Sequence, residues 1–367
     1  MNISRIFLWL TCIYLLGFLS HAAYLSKTVY GDGIFYYSWL RSTVIDRDVN
    51  FENEYAHFGA TQPKTQAGQL GNKYSIGPSL LWAPAFITTH SLIRGDGYTL
   101  PYQVAVGSTT VLLTIFALVL LYRQLGGSSE TRMFTTVTIA LATNLFFYGS
   151  IDAVNSHGVS FFLAVVYLSL LSAHKPHWVA IGASLAMLCM IRLQDFIFVL
   201  LLVPQIRSIK FNQLLFGFVL MFIPQLLAWN ALYGNFWTNP YLAGGEKFSL
   251  LSPHLLGVLF HIDSGLFLWT PVVALGIYGL WATRSQHLLY LIVIAIQLWL
   301  VASWSTWWQG ASYSGRMFVS ILPLLAVGFT DGIETLRKRY GNMVTGLFIA
   351  TFAILNSLSI LYFLLTH

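Results

Sequence analysis

Long apolar stretches recur along this chain from about residue 101 onward, and they constrain its fold more than any other feature. Charged residues make up 9% and hydrophobic residues 56% of the 367 residues, and the mean hydropathy is +0.68. Soluble domains carry roughly 25% charged residues. A chain this apolar cannot hide its hydrophobic surface from water, so its solvent is lipid. The composition therefore predicts an all-α polytopic membrane protein.

A transmembrane helix needs about 20 apolar residues, and about eleven stretches are candidates. They cover residues 6–25, 101–122, 130–149, 156–173, 177–191, 194–206, 212–231, 265–283, 287–304, 316–331 and 341–364. The stretches at 177–191 and 194–206 are short, and the count falls to nine if residues 177–206 are re-entrant. Residues Met1–Ala23 are expected to form an uncleaved signal anchor.

The positions of lysine and arginine predict a cytoplasmic N-terminus. The short inner turns then carry Arg5, Arg123, Arg132, Lys175, Arg207, Lys210, Arg284, Arg337, Lys338 and Arg339, but only three acids. The sequence predicts one multi-pass domain over residues 1–367 in the inner (cell) membrane, with 26–100 and 232–263 as outer, extracytoplasmic loops. The basic residues mark these turns, so no nucleic-acid partner is expected.

The first outer loop, 26–100, has the polar composition of a site at the membrane surface. It gathers six acids: Asp32, Asp46, Asp48, Glu52, Glu54 and Asp96. Apolar residues at helical spacing in Ile34–Val44 and Tyr74–Ile93 predict amphipathic interfacial helices. The polar, glycine-containing segment His57–Gly71 between them is interpreted as a mobile loop.

Asp32 is flanked by Gly31 and Gly33, which let the chain turn sharply after the first helix. A carboxylate at a helix N-terminus is stabilised as the anion, so Asp32 is a candidate acceptor for a hydroxyl proton or a metal ligand. The alternative is a helix cap alone. Asp48 and Glu54, in the acidic run 46–55, form either a solvated turn or a second carboxylate facing Asp32. Whether a divalent metal ion binds is left open.

Three cations are candidates for binding a lipid phosphate. Lys73 precedes an interfacial helix and meets either a phosphate or the headgroups as a snorkelling lysine. Arg192 lies in a tight turn, where a structural pair with Asp195 is the alternative. Arg316 opens a span with no acid nearby in sequence, and its guanidinium fork suits a phosphate. His157 is either a ligand or a helix-end histidine.

Seven segments in order resemble the bacterial membrane glycosyltransferases of the GT-C class, closest to the branch of protein-mannosyltransferase-like and aminoarabinose-transferase-like enzymes. They read GDGIFYY, DRDVNFENEY, NKYSIGPSLLWAPAF, SHGVSFF, NALYGNFWTNPY, SGLFLWTPVVALGIYGL and WWQGASYSGRMF. The GDGI segment lacks the Asp-Glu pair common in the protein-mannosylating branch, which makes a protein acceptor less expected.

This resemblance implies sugar transfer at the outer face from a polyprenyl-phosphate sugar to a glycan or lipid-linked acceptor, with inversion at the anomeric carbon. Asp32 would be the base, and Lys73, Arg192 and Arg316 would stabilise the departing phosphate. Tyr241, Trp307 and Trp308 would stack on sugar rings. No cofactor is certain.

Two other functions remain open from the sequence. One is a transporter or flippase for a lipid-linked saccharide, which usually has paired halves and a site near the bilayer midplane. The other is a non-catalytic membrane assembly partner.

Overall fold

The computed structural model describes residues 3–366, and this part of the chain is helical, with two isolated antiparallel bridges and no strand. Five of its helices are long and apolar enough to cross a membrane, over Ile3–Leu25, Leu100–Gln124, Phe211–Tyr233, Arg284–Ser303 and Arg316–Thr366. The predicted all-α membrane class is confirmed at this level, while the count of eleven or nine spans stays a prediction. Met1, Asn2 and His367, the ends of the predicted signal anchor and domain, lie outside the described residues.

The α-helices are α1 (Ile3–Leu25), α2 (Gly33–Arg41), α3 (Glu52–Phe58), α4 (Gly77–Ile93), α5 (Leu100–Gln124), α6 (Ser129–Ala142), α7 (Ser156–Leu171), α8 (Trp178–Ile191), α9 (Phe211–Tyr233), α10 (Pro240–Ala243), α11 (Leu255–Phe260), α12 (Leu266–Trp269), α13 (Val273–Ala282), α14 (Arg284–Ser303) and α15 (Leu322–Thr366). Two π-helical turns cover Ser42–Asp46 and Phe147–Ile151, and two 3₁₀ helices cover Leu193–Gln205 and Arg316–Ile321. Helix α15 is broken at Gly341, the first residue of the last predicted apolar stretch.

Glycines bring the backbones of neighbouring helices together. A methyl group at Gly182 of α8 would lie 2.0 Å from the Leu214 carbonyl oxygen of α9, and one at Gly279 of α13 would lie 1.9 Å from the Gly328 carbonyl oxygen of α15. Lipid provides little hydrophobic drive between helices, so close packing at small residues stabilises a membrane bundle instead. These contacts explain why apolar stretches of quite different length pack into one core.

The turns that the sequence places inside contact one another. The Arg337 guanidinium lies 3.2 Å from Glu334 and 3.9 Å from Glu130, and the Thr283 hydroxyl donates to Asp331 at 2.8 Å. The predicted outer segments likewise meet each other, around the cavity described below. This grouping of inner turns with inner turns and outer segments with outer segments agrees with the predicted topology. The side of the membrane that each group faces stays a prediction.

The first outer segment is ordered by contacts with the bundle. Helices α2 and α4 occupy most of the two stretches predicted as amphipathic helices. Trp39 and Trp82 are fully buried, and Trp82 Nε1 donates to Thr110 Oγ1 of α5 at 2.9 Å. The two helices therefore pack into the protein with one face rather than resting on its surface. The segment between α3 and α4 is also held, since Thr65 Oγ1 donates to the Leu232 carbonyl at 2.5 Å.

Candidate active site

The carboxylate of Asp32 points away from the helix that follows it. Gly31 takes the left-handed backbone conformation at φ +52°, and Asp32 precedes α2 without accepting any capping hydrogen bond. Its two oxygens instead accept from Tyr74 Oη at 2.7 Å and from Arg316 Nη1 at 2.7 Å. The Asp32 side chain thus does not cap the helix. Its carboxylate is held instead by residues from two distant parts of the chain.

Electrostatics keep Asp32 ionised. Burial on its own raises the pKa of a carboxyl group, because it penalises the charged form. The Arg316 guanidinium, the hydrogen bond from Tyr74 and the more distant charges of Lys73 and Arg192 outweigh burial and lower the pKa of Asp32 below its usual value. Asp32 is therefore an anion at neutral pH and is available to accept a proton.

Asp32 opens into a cavity of about 210 Å³, here called the central cavity. The predicted site residues that line it are Asp32, Lys73, Arg192, Tyr241, Trp308 and Arg316. Side chains that the sequence analysis did not assign to the site complete its wall, among them Tyr36, Tyr74, Trp304, Thr306 and Gln309. One carboxylate, three cations and several aromatic rings thus surround this space.

Arg192 brings a positive charge to the central cavity without an acid of its own. Its Nη1 lies 2.9 Å from a ring nitrogen of His157 and its Nη2 contacts the Met317 sulfur, while its buried Nε has no hydrogen-bond partner. The alternative pair with Asp195 does not form: one oxygen of the Asp195 carboxylate accepts from Ser320 Oγ at 2.8 Å, and the other has no hydrogen-bond partner among the described residues. Among the described residues no acid forms an ion pair with Arg192, which leaves this guanidinium ready for an anionic ligand.

Lys73 joins the first and second outer segments beside the central cavity. Its Nζ lies 2.6 Å from Glu246, and the other oxygen of Glu246 accepts from the Trp304 indole nitrogen. The Lys73 ammonium also lies 5.5 Å from the ring centre of Tyr74 and 5.7 Å from that of Tyr241. The lysine is therefore positioned by charge and by aromatic faces and does not snorkel freely.

An apolar groove of about 220 Å³ continues from the central cavity between the 3₁₀ helix at 193–205 and α14. It shares Arg192, Tyr241, Trp304 and Met317 with the central cavity. Its remaining wall includes the hydrocarbon side chains of Leu193, Phe248, Leu300 and Val301. The two spaces together suit an amphipathic ligand, with the polar end among the cations and the hydrocarbon between the helices.

Several predicted site residues are placed elsewhere. Glu54 is fully buried and lies 2.6 Å from Arg41 Nη1, which also pairs with Asp46. Burial is the main cause that raises the pKa of Glu54 to about 6, against the hydrogen bond from Arg41. Asp48 accepts from Ser42 Oγ at 2.7 Å in the turn after α2. These two carboxylates fold the first outer segment and do not face Asp32.

Two further predicted residues lie just behind the wall. Trp307 stacks on His254, with ring centres 5.0 Å apart, and packs against Gly257. His157 contacts the Arg192 guanidinium through a ring nitrogen and does not line the central cavity. In the part of the chain that the structure describes, no three His, Cys, Asp or Glu side chains converge as a metal site.

A second carboxyl group lies close enough to Asp32 to influence it. Asp152 accepts from Asn155 Nδ2 at 2.9 Å in the turn before α7. Burial, and to a smaller extent the charge of Asp32, raise the pKa of Asp152 to about 6, although the hydrogen bond from Asn155 acts the other way. Asp152 is not among the site residues proposed from the sequence.

Replacing Gly33 by alanine should displace Asp32. A methyl group at position 33 would lie 2.3 Å from the Val154 carbonyl oxygen, so the start of α2 has no room for it. We expect a loss of about 1–3 kcal/mol in the free energy of unfolding. Thermal unfolding in detergent, followed by tryptophan fluorescence, measures this loss. Gly126→Ala is the control because no atom lies within 4 Å of its added methyl group; equal unfolding temperatures for both variants would contradict the close contact.

No protein-family model, curated protein or solved structure matches this chain. The likeness to GT-C glycosyltransferases accordingly stays a hypothesis drawn from the residues, and the function is argued from the site.

Proposed function

We propose that this protein is a membrane glycosyltransferase that moves a sugar from a polyprenyl-phosphate donor to a glycan or lipid-linked acceptor. The observation that carries the proposal is the joining of an ionised carboxylate, three cations and aromatic rings in one cavity with an apolar groove. A polyprenyl-phosphate sugar has the matching parts: a ring, an anion and a hydrocarbon tail. We place the site at the outer face of the cell membrane on the strength of the predicted topology.

In the proposed reaction, the acceptor hydroxyl oxygen attacks the anomeric carbon from the face opposite the phosphate. The new carbon–oxygen bond forms as the bond from the anomeric carbon to the phosphate oxygen breaks, and the configuration inverts. The hydroxyl proton passes to Asp32, which acts as general base. The bonding electron pair leaves with the lipid phosphate, whose growing negative charge is stabilised by Arg192 and Lys73.

Arg316 holds Asp32 in this scheme. Its ion pair with Asp32 fixes the carboxylate and keeps it ionised. Tyr36, Tyr74, Tyr241, Trp304 and Trp308 supply aromatic faces for the sugar ring. The polar groups gather at one end of the bundle, which favours an enzyme over a transporter with a site near the bilayer midplane.

The proposal is tested with purified protein in lipid nanodiscs and a polyprenyl-phosphate sugar that is radiolabelled in the sugar. We expect release of polyprenyl phosphate, with the label moving to an added membrane glycolipid fraction and, more slowly, to water. Movement of intact donor between bilayer leaflets of proteoliposomes, without any cleavage of the sugar–phosphate bond, would instead identify a flippase. Neither cleavage nor movement would favour an assembly partner.

Arg316→Gln should shift the acid side of the pH–rate profile upward. The cation favours the charged form of Asp32, so its removal raises the pKa of Asp32 and protonates the base at a higher pH. We therefore expect the acid limb of kcat/KM to move to higher pH. Arg316→Lys keeps the charge and should keep the wild-type limb at a lower kcat. An unchanged limb in the glutamine variant would show that Asp32 is not the group that titrates.

A further inference from the structure

A second cavity, of about 380 Å³, adjoins the central cavity and is here called the vestibule. Its walls come from residues 62–73 of the first outer segment and 233–246 of the second. Lys73 lines both cavities, and Glu246, its partner at 2.6 Å, lines the vestibule. The Lys73–Glu246 ion pair therefore lies where the two spaces meet.

The vestibule differs from its neighbours in chemistry. Its wall is built largely from neutral hydrogen-bonding side chains, prolines and glycines, including Gln62, Thr65, Gln66, Tyr233, Asn235 and Thr238. Its charged residues are Lys64, which is exposed, and the paired Lys73 and Glu246. Within the described residues, the side-chain amides of Gln62 and Gln66 make no hydrogen bond. They are free to bind a ligand that both donates and accepts.

Amide, hydroxyl and phenol groups recognise sugar hydroxyls, since each of them can donate or accept. A phosphate or a carboxylate on the ligand would instead call for unpaired cations, and the lining of the vestibule offers one, the exposed Lys64, because Lys73 is paired with Glu246. A hydrocarbon ligand would leave the polar side chains of the wall without hydrogen-bond partners. The linings of the three adjoining spaces thus suit different groups. The central cavity suits a sugar phosphate, the groove a hydrocarbon tail, and the vestibule neutral hydroxyl groups.

We infer that the vestibule binds the uncharged saccharide end of the acceptor and presents its reactive hydroxyl to the central cavity past Lys73. This inference rests on the proposed glycosyltransferase function and adds to it the class of acceptor. An acceptor whose terminal residues are neutral sugars fits the wall, whereas one that ends in several phosphorylated or acidic sugars would meet a single unpaired cation, Lys64.

The test blocks the vestibule after the protein has folded. The chain has two cysteines, the exposed Cys12 and the buried Cys189. In a Cys12→Ser background, Gln66→Cys is alkylated with fluorescein maleimide. Two rates are then measured with the radiolabelled polyprenyl-phosphate sugar: transfer to a membrane glycolipid fraction, and hydrolysis of the donor by water. We expect transfer to fall at least about ten-fold while hydrolysis stays within about two-fold of the unlabelled protein.

The matched control is Gln213→Cys in the same background, an exposed glutamine in the first turn of α9, at the end of the bundle predicted to be inside. Its alkylation should change neither rate. Transfer that survives alkylation at residue 66 would overturn the vestibule as the acceptor site while leaving the enzyme intact. Loss of both rates would overturn the separation of acceptor and donor spaces. Absence of hydrolysis and transfer before alkylation would overturn the proposed function, and this inference with it.

Discussion

Replacing Asp32 by asparagine lowers kcat by about 10³-fold if this carboxylate is the general base, within the range that positioned bases contribute. Asparagine keeps the shape of the side chain and can still accept from Tyr74, but it cannot take up the acceptor proton. It also leaves Arg316 without its counter-ion, so the unfolding temperature should fall. The measurement is transfer and hydrolysis of the labelled donor in nanodiscs, beside size-exclusion profiles that report a folded monodisperse protein.

Asp48→Asn is the matched control for this experiment. Asp48 belongs to the same outer segment and was also a candidate from sequence, but it is exposed and bonded to Ser42 Oγ at 2.7 Å. Its replacement should leave kcat within about two-fold of wild type because Asp48 does not line the central cavity, and it should cost little stability, as surface changes usually do. Wild-type turnover by the Asp32 variant would remove Asp32 from the catalytic role, and a large loss in the Asp48 variant would restore the paired-carboxylate hypothesis.

Local signals in the sequence were enough to predict the helical membrane class and to mark Asp32, Lys73, Arg192 and Arg316, which the structure brings to one cavity. An apolar composition predicts helices that face lipid. The glycines on both sides of Asp32 already indicate that the chain turns sharply at this carboxylate. What one sequence does not contain is the pairing of residues far apart. Arg316 was recognised as a cation without a nearby acid, yet its partner Asp32 lies 284 positions away. Lys73 and Glu246 are 173 positions apart.

The residues that the sequence misplaced share a physical reason. A run of acids such as 46–55 looks the same whether its members face a substrate or neutralise a buried arginine, and Arg41 decides between these for Glu54 and Asp46. Tyr74 stood within a recognised motif, but a tyrosine before a helix is equally typical of the membrane interface. Only the packing of α2 against α4 shows that its hydroxyl reaches Asp32.

Arg192→Gln is expected to lower kcat by about 10²–10³-fold, which is the usual cost of removing one preorganised group that stabilises developing charge. A guanidinium this close to hydrocarbon is costly without an anion, and the described residues give Arg192 no acid partner. The donor phosphate would supply that anion, most strongly as the bond to the sugar breaks. The effect should therefore appear in kcat more than in KM for the donor, and inhibition by free polyprenyl phosphate should weaken in parallel.

Arg207→Gln gives the matched comparison, because this arginine is exposed just beyond the far end of the same 3₁₀ helix that Arg192 precedes. It should retain wild-type kcat and wild-type inhibition by polyprenyl phosphate. Arg192→Lys keeps a charge but loses the planar fork, so an intermediate rate is expected. If Arg192→Gln instead lowers the unfolding temperature and leaves kcat per folded molecule unchanged, the guanidinium serves to hold His157 and Met317 in place, and Lys73 and Arg316 remain as the cations that bind the phosphate.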